Sequence, residues 1–158
     1  DQFGIRMKDS QNPAITAFGG CRWYEIKPEY CVTGRYIPFD KIDEIAIQTT
    51  IQTAELYRSV GMIEFELHGQ TLRLLVEDDG APAQRKIVMR DATSGKSTYP
   101  PARFLYVKLN SDGTATIDFN KAFSPPCAFT PYATCPLPPR ENILAVAIEA
   151  GEMYPPEH

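Results

Sequence analysis

The chain has 158 residues, with 16 Lys plus Arg against 20 Asp plus Glu and a formal net charge of −4, which is the length of one domain with one core burying ~70% of its unfolded surface. With Arg85-Lys86 as the only adjacent basic pair, a phosphate-tracking surface is excluded and no nucleic-acid partner is expected. The longest apolar run, Ile143 to Ile148, falls far short of the ~20 residues of a membrane-spanning helix.

Period-two alternation recurs along the chain, and no helical stripe exceeds two turns. The Lys27-Pro28-Glu29 turn precedes a predicted strand from Tyr30 to Ile37, and a second strand is expected from Ile45 to Ile51. A hairpin centred on Pro28-Glu29 sets Cys31 opposite Ile26, with Cys21 about 16 Å further along at strand rise, so those two thiols should not bond. The clearest element is a hairpin from Met62 to Val76. Ile63, Phe65 and Leu67 share one face and Leu72, Leu74 and Val76 continue it, with a two-residue turn at His68-Gly69 or Gly69-Gln70 that sets Arg73 across from Glu64 or Glu66.

After a turn at Asp78-Asp79-Gly80 comes a strand from Lys86 to Asp91. Ser94-Gly95-Lys96-Ser97 looks like the end of a phosphate-binding loop. It has Arg90 where that motif needs glycine, and Pro100-Pro101 bars the helix that must follow, so it reads as a polar turn. A second hairpin spans Arg103 to Phe119 around Ser111-Asp112-Gly113, pairing Val107 with Ile117 and Leu105 with Phe119. Its other face, with Tyr106 beside Asp118 and Phe104 beside Asn120, is mixed enough to need a cover.

Six of the fourteen prolines fall between Pro125 and Pro139, which excludes helix and central strand and predicts a long, specifically folded loop. Cys127 and Cys135 within it are open to two readings, a disulfide contributing ~2 to 3 kcal/mol or a pair of free thiols. Ile143 to Ile148 closes the set as a β-branched strand. The fold class is therefore all-β, an antiparallel barrel or sandwich-like domain over residues 1–158 with a Pro-rich loop.

His68 at a hairpin tip and His158 at the last position do not suit a buried general base. The cysteines show no Cys-x-x-Cys pair, and no His-Glu-x-x-His or Gly-x-Ser-x-Gly occurs. No metal or cofactor is expected. Polar and aromatic residues do concentrate in the second half. Arg90, Arg103, Asn120 and Tyr132 are the candidate ligand-binding residues, because two guanidinium groups can hold a carboxylate or phosphate bidentately. Asp91 and Asp118 are candidate bases and Tyr99 a candidate proton donor. The competing reading is that these groups satisfy the buried backbone of the long loop.

The runs Asp91 to Tyr99, Arg103-Phe-Leu, Asp118-Phe-Asn120, Pro125-Pro-Cys127-Ala-Phe, Cys135-Pro-Leu-Pro-Pro139, Asn142 and Glu149-Ala-Gly151-Glu152, with Phe18-Gly19-Gly20 and Trp23-Tyr24, closely resemble the bacterial and archaeal domain-of-unknown-function family 1684. The resemblance covers nearly the whole chain and implies that these polar residues belong to a shared site or a shared loop scaffold. Pro100-Pro101-Ala102 stands where the family commonly has small residues, and the family's amino-terminal helical segment is missing or cut short.

The leading expectation is a β-barrel that binds a small anionic ligand, with hydrolysis or transfer as the reaction class if the site is catalytic. The alternative is a non-catalytic structural or interaction protein that uses the Pro-rich loop and strand edges. No charged n-region with an apolar h-region opens the chain, which favours the cytoplasm; an exported or lipoprotein-anchored form would have lost its leader ahead of Asp1.

Overall fold

Six antiparallel strands close into a barrel in the order β2-β3-β4-β5-β6-β7, and a two-stranded ribbon, β1 with β8, stands beside it. The computed structural model describes residues 9–78, 80 and 84–154. Its strands are β1 (Arg22–Trp23), β2 (Cys31–Gln48), β3 (Ala54–Leu67), β4 (Gln70–Glu77), β5 (Gln84–Met89), β6 (Arg103–Leu109), β7 (Thr114–Asp118) and β8 (Glu152–Met153), with one short helix, α1 (Pro13–Ala17). The expected all-β fold is present as a barrel.

Alternation along the strands divides the apolar residues between two layers. Ile63, Leu74, Val76, Ile87, Met89, Leu105, Val107 and Ile117 are all fully buried in one cluster that fills the barrel. Leu75 and Val88, of the other parity in β4 and β5, form a second cluster with Ile47, Ala102 and Tyr57, which lies beyond the register shift between Ser59 and Gly61 in β3. At Gly34 a Cβ would lie 2.6 Å from Ile63 Cγ2 and 2.8 Å from the Glu64 carbonyl, so only glycine lets β2 approach β3 this closely.

The β3–β4 hairpin turns at His68-Gly69, both at positive φ (51° and 72°), as a right-twisted two-residue turn requires. Its register opposes Glu64 to Arg73 and Ile63 to Leu74. Arg35 of β2 also faces Glu64, so one carboxylate takes two guanidinium groups at 2.9 and 2.7 Å. These two hydrogen bonds, Arg73's the larger in effect, hold the Glu64 carboxyl below its usual range. The β6–β7 loop is the three residues Ser111 to Gly113, closed by the Asn110 N–H on the Thr114 carbonyl at 2.9 Å. The other face of β6 has its cover: the Phe123 ring stacks on Tyr106 and meets Phe104 edge-on.

Three expectations are corrected. The strands over 30–37 and 45–51 are one strand, β2, bent by a register shift between Pro38 and Asp43. The hairpin at Pro28-Glu29 does not form, because Pro28–Tyr30 is a 3-10 turn and β1 pairs with β8 instead. Ile143 to Ile148 is not a strand. It makes one parallel bridge, Arg90 with Ile143; backbone groups of Arg90 and Ala92 then meet Leu144 N–H and the Val146 carbonyl, and the side chains of Asp91 and Arg103 meet Ile148. Of the residues named in the sequence, Asp79 and His158 lie outside the described residues.

Candidate functional site

Asp91 directly follows the Arg90 bridge at the end of β5, and Arg103 opens β6 opposite Met89. Both side chains are shielded from solvent, with Arg103 Nη2 2.7 Å from Asp91 Oδ2. The same nitrogen donates to the Ile148 carbonyl at 3.1 Å, and Nη1 donates to the Ala150 carbonyl. Asp91 Oδ1 accepts from Thr93 N–H at 2.8 Å, from the Thr93 hydroxyl at 2.6 Å and from Ile148 N–H at 3.3 Å. Because the Thr93 hydroxyl gives its proton to Asp91, Thr98 is the donor in the 2.8 Å contact between the two threonines. This network organises the Asp91–Thr98 turn and the 143–151 segment around one buried charge pair.

The other residues singled out in the sequence lie in separate environments. Arg90 lends its N–H to the Asn142 carbonyl and its carbonyl to Leu144 N–H. Asp118 accepts from Asn120 at 3.0 Å and pairs with Lys121 at 3.1 Å. Burial alone would raise the Asp118 carboxyl, but those two partners outweigh it and hold it below its ordinary value. Asn120 bridges to Lys27, giving Nδ2–H to its carbonyl and taking its N–H, both at 3.0 Å. Tyr99 donates its hydroxyl to the Cys127 carbonyl at 2.9 Å. Burial first, then the Cys127 thiol, pushes that phenol well above its ordinary range. Tyr132 is 94% exposed. The Ser94–Ser97 stretch is a hydrogen-bonded polar turn, with Gly95 at φ 80°.

A cleft lies elsewhere. A cavity of about 680 Å³ opens between the α1–β1 segment and the chain after Pro126, with β8 as its third side. Phe18 and Phe129 meet edge-on across it, centroids 5.9 Å apart, and Cys21, Cys127, Glu152 and Tyr154 also line it. None of Arg90, Asp91, Tyr99, Arg103, Asp118, Asn120 or Tyr132 lines it.

Glu152 is the chemically distinctive group there. It is 4% exposed, its Oε2 accepts Ser124 N–H at 2.9 Å, and no ion pair reaches it among the described residues. The Cys21 thiol shares the cleft with it; partial burial, then that carboxylate's charge, raises the thiol. Sequence reasoning passed over Glu152 and Cys21 as site residues because ranking arginines as anion ligands drew attention to β5 and β6. The signal available was Gly151-Glu152: Gly151 sits at φ 82°, and a Cβ there would lie 2.5 Å from the Ala122 carbonyl, a backbone contact that fixes where Glu152 enters the cleft.

A family model described as protein of unknown function, DUF1684, matches residues 16–153. The chain belongs to that family. It is also similar to the solution structure of an uncharacterized protein from Haloarcula marismortui, at 29% identity over 91% of this chain and 81% of that one, with a TM-score of 0.73. No curated protein matches the chain. The DUF1684 match spans both the Asp91–Arg103 network and the Glu152 cleft.

Proposed function

We propose that this DUF1684 protein is a small-molecule-binding barrel whose ligand enters the cleft beside Glu152. The observation that carries the reading is a buried carboxylate that makes no ion pair among the described residues, on the wall of a largely apolar cavity that Arg22 also lines. A buried charge is costly unless paired, and a volume within the ~300 to 1,000 Å³ of ordinary ligand sites suits an occupant that supplies the partner. The ligand is therefore a molecule with an apolar body, to pack against the Phe18–Phe129 ring pair, and an ammonium or similar N–H group for Glu152. An anion held by arginine is less well supported, since Arg103 is fully buried and both of its Nη atoms are already given to Asp91 and two carbonyls. Pairing through the barrel's strand edges is also less well supported, since the barrel is closed.

The test is a thermal-shift panel of alkyl and aryl amines set against phosphate, citrate and small carboxylic acids. An amine should raise the wild-type Tm, and Glu152→Gln, which can keep the Ser124 contact while losing the charge, should abolish that rise. If anions shift the wild type and amines do not, the arginine-based reading replaces this one.

A further inference from the structure

Cys127 and Cys135 flank the cleft wall, eight positions apart on one irregular stretch of chain. Cys127 sits in the 3-10 turn Pro126–Ala128, half-buried and lining the cavity, while Cys135 is buried. Both are free thiols. The Cys127 N–H nevertheless donates to Cys135 Sγ at 3.4 Å. A residue's N and its Cβ are two bonds apart, so a sulfur resting on the first lies close to where a disulfide partner stands beside the second.

We propose that Cys127 and Cys135 form a thiol-oxidation site, closing to an intramolecular disulfide by exchange with a small disulfide of the glutathione type, and that closure fixes the wall of the cleft. The more open thiol reacts first. Cys127 loses its proton and attacks one sulfur of glutathione disulfide, breaking that S–S bond, releasing one glutathione thiolate and leaving a mixed disulfide on Cys127. Cys135 then loses its proton and attacks the Cys127 sulfur, expelling the second glutathione. The two protein thiols are oxidised, glutathione disulfide is reduced to two glutathiones, and the balance closes without a further reactant. Burial first, then the neighbouring thiol, pushes Cys135 up to about 12, which keeps it from reacting first; its sulfur's place beside Cys127 is what makes it the partner in the second step.

The two cysteines are anchored to different parts of the molecule, so the bond would have a mechanical effect. Cys135 is stitched to the end of β2: Thr50 N–H donates to its carbonyl at 2.9 Å and its own N–H donates to the Thr50 hydroxyl at 3.3 Å. Cys127 leads through Ala128 into Phe129, the ring that meets Phe18 across the cleft. A disulfide would tie that wall to the barrel end. The inference stands on the geometry of the thiols and does not depend on what the cleft binds.

The test incubates the full chain with glutathione disulfide, blocks remaining thiols with an alkylating agent and maps the peptides by mass spectrometry. The expected product has lost two hydrogens, carries a Cys127–Cys135 link and melts about 5 to 10 °C higher than the reduced form. The Cys21→Ser/Cys31→Ser double variant should still form the link and show the Tm rise over its own reduced form, and Cys127→Ser should lose both. Cys127→Ser is preferred to a Cys135 variant because its site is only half-buried. Two unlinked, alkylatable thiols, a mixed disulfide persisting on Cys127, or a link that needs Cys21 or Cys31 would each overturn the proposal. So would a link that forms without raising Tm, because the cleft wall would then not be fixed.

Discussion

Arg103 and Asp91 stand 2.7 Å apart with both side chains fully shielded from solvent, and between them they hold the backbone of a segment that has no strand partner. The guanidinium takes the carbonyls of Ile148 and Ala150 and the carboxylate takes the Ile148 N–H. Irregular backbone can be buried only when its polar groups find partners, and a planar fork with fixed donors suits the task better than a point charge.

Arg103→Ala should therefore destabilise the empty protein by ~3 to 5 kcal/mol, because it strands a buried carboxylate together with two carbonyls. Arg103→Lys should fall between the two, since an ammonium can reach Asp91 but cannot hold both carbonyls as a fork does. Urea denaturation followed by fluorescence reads this directly. A ligand-binding role expects the opposite, little change in the stability of the empty protein, and a loss below ~1 kcal/mol would favour it.

Asp118 gives a pH-dependent prediction. Its carboxyl is held below its ordinary value by Asn120 and Lys121 against the opposing effect of burial, so its contribution to stability is present above the unfolded pKa of ~3.9 and is lost as pH falls through the lower folded value. Asn120→Ala removes the main partner and also unties Lys27. In that variant the Asp118 carboxyl-carbon titration should move up, and amide exchange at residues 27–30 should speed up. An unchanged midpoint would show that Lys121 and the backbone N–H of residue 120 set the carboxyl without the Asn120 side chain.

Where one residue's neighbours in sequence determined its environment, the fold could be read directly. Ile63, Phe65 and Leu67 against Leu72, Leu74 and Val76 specify a hairpin and its inward face by alternation alone, and His68-Gly69 supplies the turn. The 143–148 segment misled because β-branched residues also suit an irregular strip packed on a barrel, and the groups that satisfy it, Asp91 and Arg103, are about fifty residues away. The cleft was hidden for the same reason: Phe18, Cys127 and Glu152 come from three separated stretches. The arginine was legible as important, but its type alone does not distinguish a fork aimed at a ligand from one aimed at the protein's own carbonyls.

Gly151 is a position where even a methyl group should not be tolerated. At φ 82° a Cβ is strained, and it would meet the Ala122 and Phe119 carbonyls at 2.5 and 2.8 Å. Backbone cannot move aside as a flexible side chain can, and the displaced residues would include Ala150 and Glu152. Gly151→Ala should therefore cost more than the ~1 kcal/mol of an ordinary left-handed glycine replacement, and it should weaken the amine binding proposed at Glu152 as well. Thermal melts with and without a bound amine separate the two effects; a variant indistinguishable from wild type in both would show that the Phe119–Ala122 turn yields.

Asn142 closes the barrel where the ladder does not. β4 and β5 share one pair, Glu77 with Lys86, and continuing that register would oppose Leu75 to Val88. The fully buried Asn142 amide is inserted there instead, accepting Leu75 N–H at 2.7 Å and donating to the carbonyls of Leu75 and Val88 at 3.0 and 2.9 Å. The Leu75 carbonyl has a second donor in the Tyr57 hydroxyl at 3.0 Å, so the groups most exposed to loss are Leu75 N–H and the Val88 carbonyl. Asn142→Ala should cost about 2 to 4 kcal/mol, because each orphaned buried group costs ~1 to 3. Asn142→Asp is the sharper test. A carboxylate still accepts from Leu75 N–H but turns lone pairs toward two carbonyls, so burial and those dipoles would raise its pKa above the unfolded ~3.9. The sign follows: stability relative to wild type is greatest below the unfolded pKa and is lost as pH rises through the folded one. Urea melts of the aspartate variant from pH 4 to 8 should show a decline that wild type lacks, and a flat difference across that range would mean that water or a shifted loop satisfies the gap in place of the amide.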